Sequence, residues 1–384
     1  MPTSATTQTS AEARAEVLAR LPLRDNLRGR SAYGAPQFDV PVRLNTNENS
    51  YDVPDEVIAA IVDGVRQEAK HLNRYPDREF TGLRADLAAY LGHDLQPEQL
   101  WAANGSNEVL QQVLQAFGGS GRTALGFTPS YAMYPLISLS TGTAWVDGLR
   151  GQADAAGADV FDLDLERTVE QIDRLKPDVT FLCSPNNPTG TALNLDVVTA
   201  AYEATDGIVV VDEAYFEFAR PGTPSALTLL PGRERLLVSR TMSKAFTLAG
   251  ARVGYLAADP AVNDALRLVR LPYHLSALTQ AAARAALWHS DLLLDTVELI
   301  KIQRDRIVES LLELGLTPAP SDSNFVLFGG LGDEKAVWRS LLSRGVLIRD
   351  VGLPGYLRVT AGTEAETTRF LDALADSLLD VPNP

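Results

Sequence analysis

The chain has 384 residues, of which 45% are hydrophobic, so it is long enough to build a large core and a smaller second domain. Its formal net charge of −15 disfavours nucleic acids and acidic membranes as partners, because phosphate groups select strongly basic surfaces. Cys183 is the only cysteine, which excludes an intramolecular disulfide and fits a reducing compartment.

The N-terminal residues Met1–Ala19 are polar and rich in Thr, Ser and Ala. They contain no apolar stretch of the length that a signal peptide or a membrane span needs. We therefore expect a cytoplasmic protein in which Met1–Ser10 is disordered. The histidines are scattered along the chain without a cluster, and we predict no metal site.

A polar loop leads into an amphipathic helix in the next informative part of the chain. Asn104–Glu108 precedes Val109–Phe117, where apolar residues recur at helical spacing. Backbone N–H groups at the first turn of a helix bind anions, and the helix dipole favours negative charge there. We expect this loop to hold a phosphate, with Ser106 as helix N-cap or direct donor and Asn107 beside it. Tyr131 follows and is expected to stack on a planar ring.

Three short apolar runs farther along suit buried parallel strands, namely Val179–Cys183, Ile208–Val211 and Leu236–Val238. Each is followed by a polar segment, and these segments are Asn186–Gly190, Asp212–Tyr215 and Ser243–Phe246. Loops that leave the carboxyl ends of parallel strands meet at one crevice, where ligands bind in open α/β sheets. Together the segments are typical of a site for pyridoxal 5′-phosphate.

The residue types in these segments fit the demands of that cofactor. Lys244 is expected to form an imine with the cofactor aldehyde, because a desolvated or cation-flanked amine has a lowered pKa. Asp212 is expected to pair with the pyridinium nitrogen and keep it protonated, so that the ring accepts electrons. Tyr215 and Asn187 are expected to contact the 3′-oxygen of the ring. Two hydroxyls and a guanidinium near the lysine come from Thr241, Ser243 and Arg252.

Alternating apolar strands and amphipathic helices between about Asn45 and Pro272 indicate an α/β domain with a parallel sheet and crossover helices. A helical stretch, Gln280–Leu314, follows, and short strands around two helices are predicted beyond it. These strands are Asn324–Phe328, Val346–Arg349 and Tyr356–Thr360. We assign residues 1–44 to an N-terminal arm, 45–275 to a large domain and 276–384 to a small α+β domain.

The polar segments belong to a longer series of runs, found in one order between about Leu21 and Phe370. The runs are Asn45–Asn49, Arg74–Asp77, Asn104–Glu108, Ser184–Gly190, Asp212–Phe218, Arg240–Tyr255, Leu271–Ser276, Ser323–Leu327 and Leu357–Thr360. In these runs the chain resembles the fold-type I aminotransferases, and specifically the histidinol-phosphate aminotransferase family. A single run would be weak evidence, whereas the ordered set is specific. Two departures are Asn107, where many members have Asp, and Ser50, where the family run ends in Pro.

The resemblance implies an α/β fold, with a mostly parallel sheet flanked by helices in the large domain and an α+β small domain that packs with the arm. It implies the roles given above for Lys244, Asp212, Asn187 and Tyr215, and phosphate contacts from Ser106, Ser243 and Arg252. It also implies a homodimer in which Tyr75 reaches the neighbouring subunit's site. Arg358 matches the arginine that binds a substrate carboxylate in the wider superfamily. Further substrate-pocket residues are expected at Arg349, Tyr33, Asn47 and Tyr273.

The activity that the resemblance implies is transamination between L-histidinol phosphate and 2-oxoglutarate in histidine biosynthesis, giving imidazole acetol phosphate and L-glutamate. Our hypothesis is a ping-pong reaction in which Lys244 acts as general base and then as general acid.

Alternatives remain open at this stage. An aromatic-amino-acid aminotransferase shares the residues around the cofactor, and an amino-acid-phosphate decarboxylase uses the same scaffold. A cofactor-binding regulator is disfavoured by the acidic charge and the lack of room for a DNA-binding domain. Taken singly, Asp212 also suits a helix cap, Asn187-Pro-Thr-Gly suits a turn, and Tyr273 suits a structural aromatic.

Overall fold

The computed structural model describes residues 13–151 and 161–381 and divides into two compact units, one ending at Gln37 and the other beginning at Phe38. In the first unit a helical segment covers residues 13–20 and a 3₁₀ helix covers Asp25–Leu27. The Arg28 side chain donates hydrogen bonds to both segments. The packing of the arm against the small domain stays a prediction, and the predicted disorder of the first ten residues lies outside the described part of the chain.

The strands of the second unit are short, as expected for a sheet alternating with helices. They are β1 (Val42–Arg43), β2 (Leu100–Ala103), β3 (Thr123–Thr128), β4 (Ala144–Leu149), β5 (Val179–Cys183), β6 (Ile208–Asp212), β7 (Leu236–Thr241), β8 (Gly254–Ala257), β9 (Thr317–Pro318), β10 (Phe325–Gly329), β11 (Val346–Leu347), β12 (Arg349–Asp350) and β13 (Leu357–Thr360).

Seven of these strands form one sheet in the order β2-β8-β7-β6-β5-β3-β4. Strands β3 to β7 pair in parallel, while β8 runs antiparallel to both of its neighbours. Every residue of β5, β6 and β7 is buried, which explains the apolar residues in most of β5 and β6 and in the first half of β7. The predicted α/β fold with a mostly parallel sheet is confirmed.

The helices of the second unit connect the strands and cover the sheet. They are α1 (Asp55–Ala69), α2 (Thr81–Leu91), α3 (Ser106–Phe117), α4 (Met133–Thr141), α5 (Leu165–Leu175), α6 (Leu195–Glu203), α7 (Pro260–Val269), α8 (Ala277–Trp288), α9 (Ser290–Glu313), α10 (Glu334–Ser343) and α11 (Glu364–Asp380). Among the described residues, none of the helices is both long and apolar enough to span a bilayer.

Two helical regions differ in detail from the prediction. Helix α3 begins at Ser106, and its N-cap is Gly105, so Ser106 is not the N-cap. The chain turns at Gly105 with φ of +87°, a conformation that glycine adopts without steric cost. The stretch Gln280–Leu314 is two helices, α8 and α9, because His289 between them leaves the helical conformation.

The C-terminal strands also differ from the prediction. Val346–Arg349 was expected to be one strand, but it is divided between two sheets. Its first half, β11, pairs in parallel with β1, whereas Arg349 begins β12 in the antiparallel sheet β12-β13-β10-β9. The pairing of β1 could not be predicted from its two residues, because it depends on a partner about three hundred positions away.

Candidate active site

A cavity opens at the carboxyl ends of β5, β6 and β7, where the polar segments leave the sheet. Of the eleven residues predicted to bind the cofactor, all but Tyr75 line this cavity, together with Cys183 and Ala214. The ten are Ser106, Asn107, Tyr131, Asn187, Asp212, Tyr215, Thr241, Ser243, Lys244 and Arg252. The fold therefore brings the predicted residues into one place.

Lys244 follows β7 and points into the cavity, where its Nζ donates a hydrogen bond to the carbonyl oxygen of Thr46 at 2.9 Å. Burial of the amine lowers the pKa of Lys244 to about 8. The cations of Arg358 and Arg252 act in the same direction, and Glu48 opposes them. A larger fraction of this amine is unprotonated near neutrality than of an ordinary lysine, which suits a nucleophile or a general base.

Asp212 is the last residue of β6 and is only 2% exposed. Its two carboxylate oxygens accept hydrogen bonds from different elements. The Tyr134 hydroxyl donates to Oδ2 at 2.8 Å and the Ser239 hydroxyl donates to Oδ1 at 3.1 Å. Burial raises the pKa of Asp212, and these two hydrogen bonds act against that rise. A buried carboxylate of this kind suits a charged N–H donor.

Tyr215 accepts hydrogen bonds on its hydroxyl from two amides, Nδ2 of Asn47 at 3.0 Å and Nδ2 of Asn187 at 3.2 Å. Burial raises the pKa of Tyr215 to about 12, so the hydroxyl keeps its proton near neutrality and can donate to an acceptor. Asn47, predicted to contact substrate, is thus tied to the residue predicted to contact the cofactor ring.

The part of the cavity beside the start of α3 suits a phosphate. A Cβ at Gly105 would overlap the Arg252 guanidinium, so the glycine leaves room for a cation beside the start of α3. Arg252 Nη1 donates to Ser243 Oγ at 3.3 Å, and Thr241 Oγ1 donates to the same oxygen at 3.0 Å. A guanidinium, two hydroxyls and the first turn of a helix are what a phosphate monoester requires.

Tyr131 and Asn107 lie on one side of the cavity. The Tyr131 hydroxyl donates to Oδ1 of Asn107 at 3.2 Å, which fixes the orientation of the phenol ring. An aspartate at position 107 would also accept this hydrogen bond, so the departure from the family pattern preserves the contact.

Arg358 lies on β13 and is buried. Its Nη1 donates to Oδ1 of Asn187 at 2.6 Å and its Nη2 donates to the Asn45 carbonyl oxygen at 2.9 Å. Across the two strands it is paired with Arg349, which is half-buried. Among the described residues, Nη1 of Arg349 is buried and makes no hydrogen bond. Two neighbouring guanidinium groups favour an anion near this point.

Five predicted residues of the second unit are not among those that line this cavity, namely Asn47, Tyr75, Tyr273, Arg349 and Arg358. Tyr75 is 78% exposed and stacks on Tyr273, with ring centroids 4.4 Å apart. Tyr273 has a positive φ of 59°, so the backbone is held in an unusual conformation to present this ring. Tyr33 belongs to the first compact unit, and its place in the substrate pocket stays a prediction.

Sequence reasoning missed Tyr134 and Ser239, the two hydrogen-bond donors to Asp212. Ser239 had a signal, because it is two residues before Thr241 on the same face of the same strand. It also lies opposite Asp212 in the register of β6 and β7. Tyr134 had a weaker signal, one helical turn after Tyr131. Thr46, whose carbonyl oxygen accepts from Lys244, carries no side-chain signal for that contact.

Comparison with known proteins agrees with this geometry. The family model for aminotransferase class I and II matches residues 40–374, which is most of the chain. The fold and the lysine-containing cavity therefore define an enzyme of the aminotransferase class.

Within that class, the histidinol-phosphate aminotransferase of Paenarthrobacter aurescens is 64% identical over 96% of this chain and 98% of its own length. That of Thermobifida fusca is 56% identical over 92% of this chain and 95% of its own. The crystal structure of the Sinorhizobium meliloti enzyme with pyridoxal-5′-phosphate superposes with a TM-score of 0.79, at 26% identity, covering 95% of this chain and 97% of that one. The chain belongs to the histidinol-phosphate aminotransferase family.

Proposed function

We propose that the protein transfers the amino group of L-histidinol phosphate to 2-oxoglutarate, giving imidazole acetol phosphate and L-glutamate, in histidine biosynthesis. The single observation that carries this proposal is the 64% identity, along nearly the whole chain, to a histidinol-phosphate aminotransferase. Lys244, Asp212 and Tyr215 line the same cavity and supply the groups that such a reaction needs.

The cavity fits pyridoxal 5′-phosphate, whose aldehyde and electron-accepting ring supply the amine chemistry when it is bound. Arg252, Ser243, Thr241 and the first turn of α3 would hold its phosphate. Asp212 would hold the proton on the ring nitrogen. Tyr215 and Asn187 would donate to the 3′-oxygen, and Tyr131 would cover one face of the ring.

We assign proton transfer at the substrate to Lys244. Its Nζ would take the proton from the substrate Cα as general base and then, as general acid, deliver it to the cofactor carbon that keeps the amino group. The amine must be unprotonated to do so, and the lowered pKa of about 8 makes this state accessible near neutral pH. The hydrogen bond from Nζ to the Thr46 carbonyl oxygen holds the amine in the cavity.

For substrate recognition we propose the two arginines of the smaller sheet. In the first half-reaction, Arg358 and Arg349 meet the phosphate of L-histidinol phosphate, which has no carboxylate. In the second half-reaction, Arg358 meets a carboxylate of 2-oxoglutarate. The arrangement supports this because Arg349 has a buried N–H group without a hydrogen-bond partner among the described residues, and an anion would satisfy it.

We further propose a homodimer in which Tyr75 enters the neighbouring subunit's site. In the single chain, Tyr75 and its stacking partner Tyr273 form an exposed aromatic pair, flanked by the exposed Leu271. Aromatic residues of this kind are enriched where protein surfaces meet. The backbone beside the pair is also linked to the loop before α3. Asn104, which precedes Gly105, donates from Nδ2 to the carbonyl oxygen of His274, the residue after Tyr273, at 2.8 Å.

The experiment that tests the function is single-turnover spectroscopy of the cofactor-loaded protein. We expect L-histidinol phosphate to remove the absorbance band of the bound cofactor rapidly and L-phenylalanine, at equal concentration, to remove it slowly. Adding 2-oxoglutarate afterwards should restore the band, as a ping-pong reaction requires. Equal or reversed donor rates would instead assign the enzyme to the aromatic aminotransferases, and no recovery with 2-oxoglutarate would exclude that acceptor.

A further inference from the structure

Tyr134 is a buried residue near the start of α4 that the proposed chemistry does not use. Its hydroxyl donates to Oδ2 of Asp212 at 2.8 Å, while Ser239 donates to the other oxygen at 3.1 Å. With one donor on each oxygen, the carboxylate cannot rotate without losing a hydrogen bond. Its orientation toward the cavity is therefore set by Tyr134 on one side and Ser239 on the other.

The Tyr134 ring is itself held by packing. It stacks on Phe181 of β5, with centroids 4.8 Å apart and an interplanar angle of 8°. Its edge-on partner is Tyr131, the residue proposed to cover the cofactor ring, at 5.4 Å and 86°. Tyr134 therefore contacts both Asp212, the proposed partner of the ring nitrogen, and Tyr131, the proposed cover of the ring face.

The charges around Asp212 make the Tyr134 hydroxyl one of the groups that favour the ionised form of this carboxylate. Cys183 lies beside both groups, and burial raises the pKa of its thiol to about 12, so it is neutral. Arg150 is buried near the thiol and the phenol, and Glu213 adds a negative charge next to Asp212 in the chain. Against burial and that second carboxylate, hydroxyl donors favour the ionised form of Asp212.

We infer that Tyr134 is a positioning residue for the cofactor: its hydroxyl orients Asp212 and keeps it ionised to pair with the protonated ring nitrogen. The inference rests on the proposed function, because it needs pyridoxal 5′-phosphate in the cavity. A phenylalanine at position 134 preserves the packing on Phe181 and Tyr131 and removes only the donor.

The test measures the affinity of cofactor-free protein for two probes by equilibrium dialysis. One probe is pyridoxal 5′-phosphate, and the other is its analogue with a C–H group in place of the ring nitrogen. Tyr134→Phe should weaken binding of the cofactor about tenfold, as expected for a hydrogen bond to a charged group, and leave the analogue within about threefold of wild type. Ser239→Ala removes the donor to the other oxygen and should give the same pattern as Tyr134→Phe, with weaker binding of the cofactor and little change for the analogue.

The matched control is Tyr202→Phe, on α6, where a half-buried phenol packs against Arg235 away from the cavity. It should bind both probes like wild type. Equal weakening of both probes by Tyr134→Phe would mean that the residue is only structural, and unchanged binding of both would also overturn the inference. If wild-type protein itself does not bind pyridoxal 5′-phosphate, the proposed function fails, which is a separate outcome.

Discussion

Arg358 of β13 donates a hydrogen bond from Nη1 to Oδ1 of Asn187 at 2.6 Å. This contact joins the smaller antiparallel sheet to the loop that follows β5 in the larger one. Asn187 also donates to the Tyr215 hydroxyl, so one amide links the proposed substrate-binding cation to a proposed cofactor-binding phenol. An anion bound at Arg358 would therefore affect the position of Asn187 and, through it, the hydrogen bond to the Tyr215 hydroxyl.

The first prediction concerns the lysine itself. Lys244→Ala should abolish the absorbance band of bound cofactor and lower kcat by at least about 10³-fold, because the variant loses both the covalent attachment and the proton carrier. Circular dichroism should show an unchanged fold. Lys70→Ala, an exposed lysine at the end of α1, is the control and should retain full activity. Retained transamination in Lys244→Ala would contradict the assignment.

The second prediction concerns pH. Only the unprotonated amine attacks an aldehyde, and the pKa of Lys244 is lowered to about 8. The rate at which cofactor-free protein captures pyridoxal 5′-phosphate should therefore rise with pH, with a midpoint near 8. Arg358→Met removes one of the cations that lower the pKa of this amine, so its midpoint should lie at higher pH. Stopped-flow absorbance over a pH series measures the midpoints of wild type and Arg358→Met. A midpoint for Arg358→Met below that of wild type would refute the electrostatic explanation.

A third prediction separates phosphate recognition from general substrate binding. Arg349→Gln should lower kcat/KM for L-histidinol phosphate about 10- to 100-fold, because a charged phosphate would lose a buried partner. The effect with phosphate-free L-histidinol should be within about threefold, since that donor has no anion to bind. Arg339→Gln, an exposed arginine on α10, is the control. Equal losses with both donors would place Arg349 in a structural role.

The proposed dimer predicts complementation between two impaired variants. Tyr75→Ala and Lys244→Ala should each have little activity as separate homodimers. After unfolding and refolding together, half of the dimers combine one chain of each kind, and each mixed dimer has one intact site. About a quarter of wild-type activity should then appear, because a two-fold interface allows each chain to complete its partner's site. A mixture no more active than its components would exclude a shared site.

Gly105 supplies a fifth prediction, on the phosphate end of the cavity. Gly105→Ala should destabilise the fold by about 1–3 kcal/mol, because alanine is strained at the positive φ of this position. It should also weaken cofactor binding, because the new Cβ would overlap the Arg252 guanidinium. Gly250→Ala, where the added methyl meets open space, should change neither quantity. Chemical denaturation gives the free energy of unfolding, and dialysis gives the affinity. Wild-type values for Gly105→Ala would mean that the glycine is not needed to make room for the cation.

The sequence alone predicted the parts of this protein that depend on local pattern. Buried strands such as Val179–Cys183 are recognisable because both faces are covered and every residue except Thr180 is apolar. The polar residues after three of these strands could be grouped into one site, because parallel strands direct their carboxyl ends to one edge. Hence Lys244, Asp212, Asn187 and Tyr215 were predicted to lie together, and they line one cavity.

Only the tertiary structure decided the contacts that join distant segments without a pattern of their own. The donors of Asp212, the carbonyl of Thr46 that accepts from Lys244, and the division of Val346–Arg349 between two sheets are of this kind. A backbone carbonyl is the same in every residue, and a buried tyrosine looks like any other core aromatic. Local sequence records which groups a segment can offer, whereas the packing of the whole chain determines which groups meet.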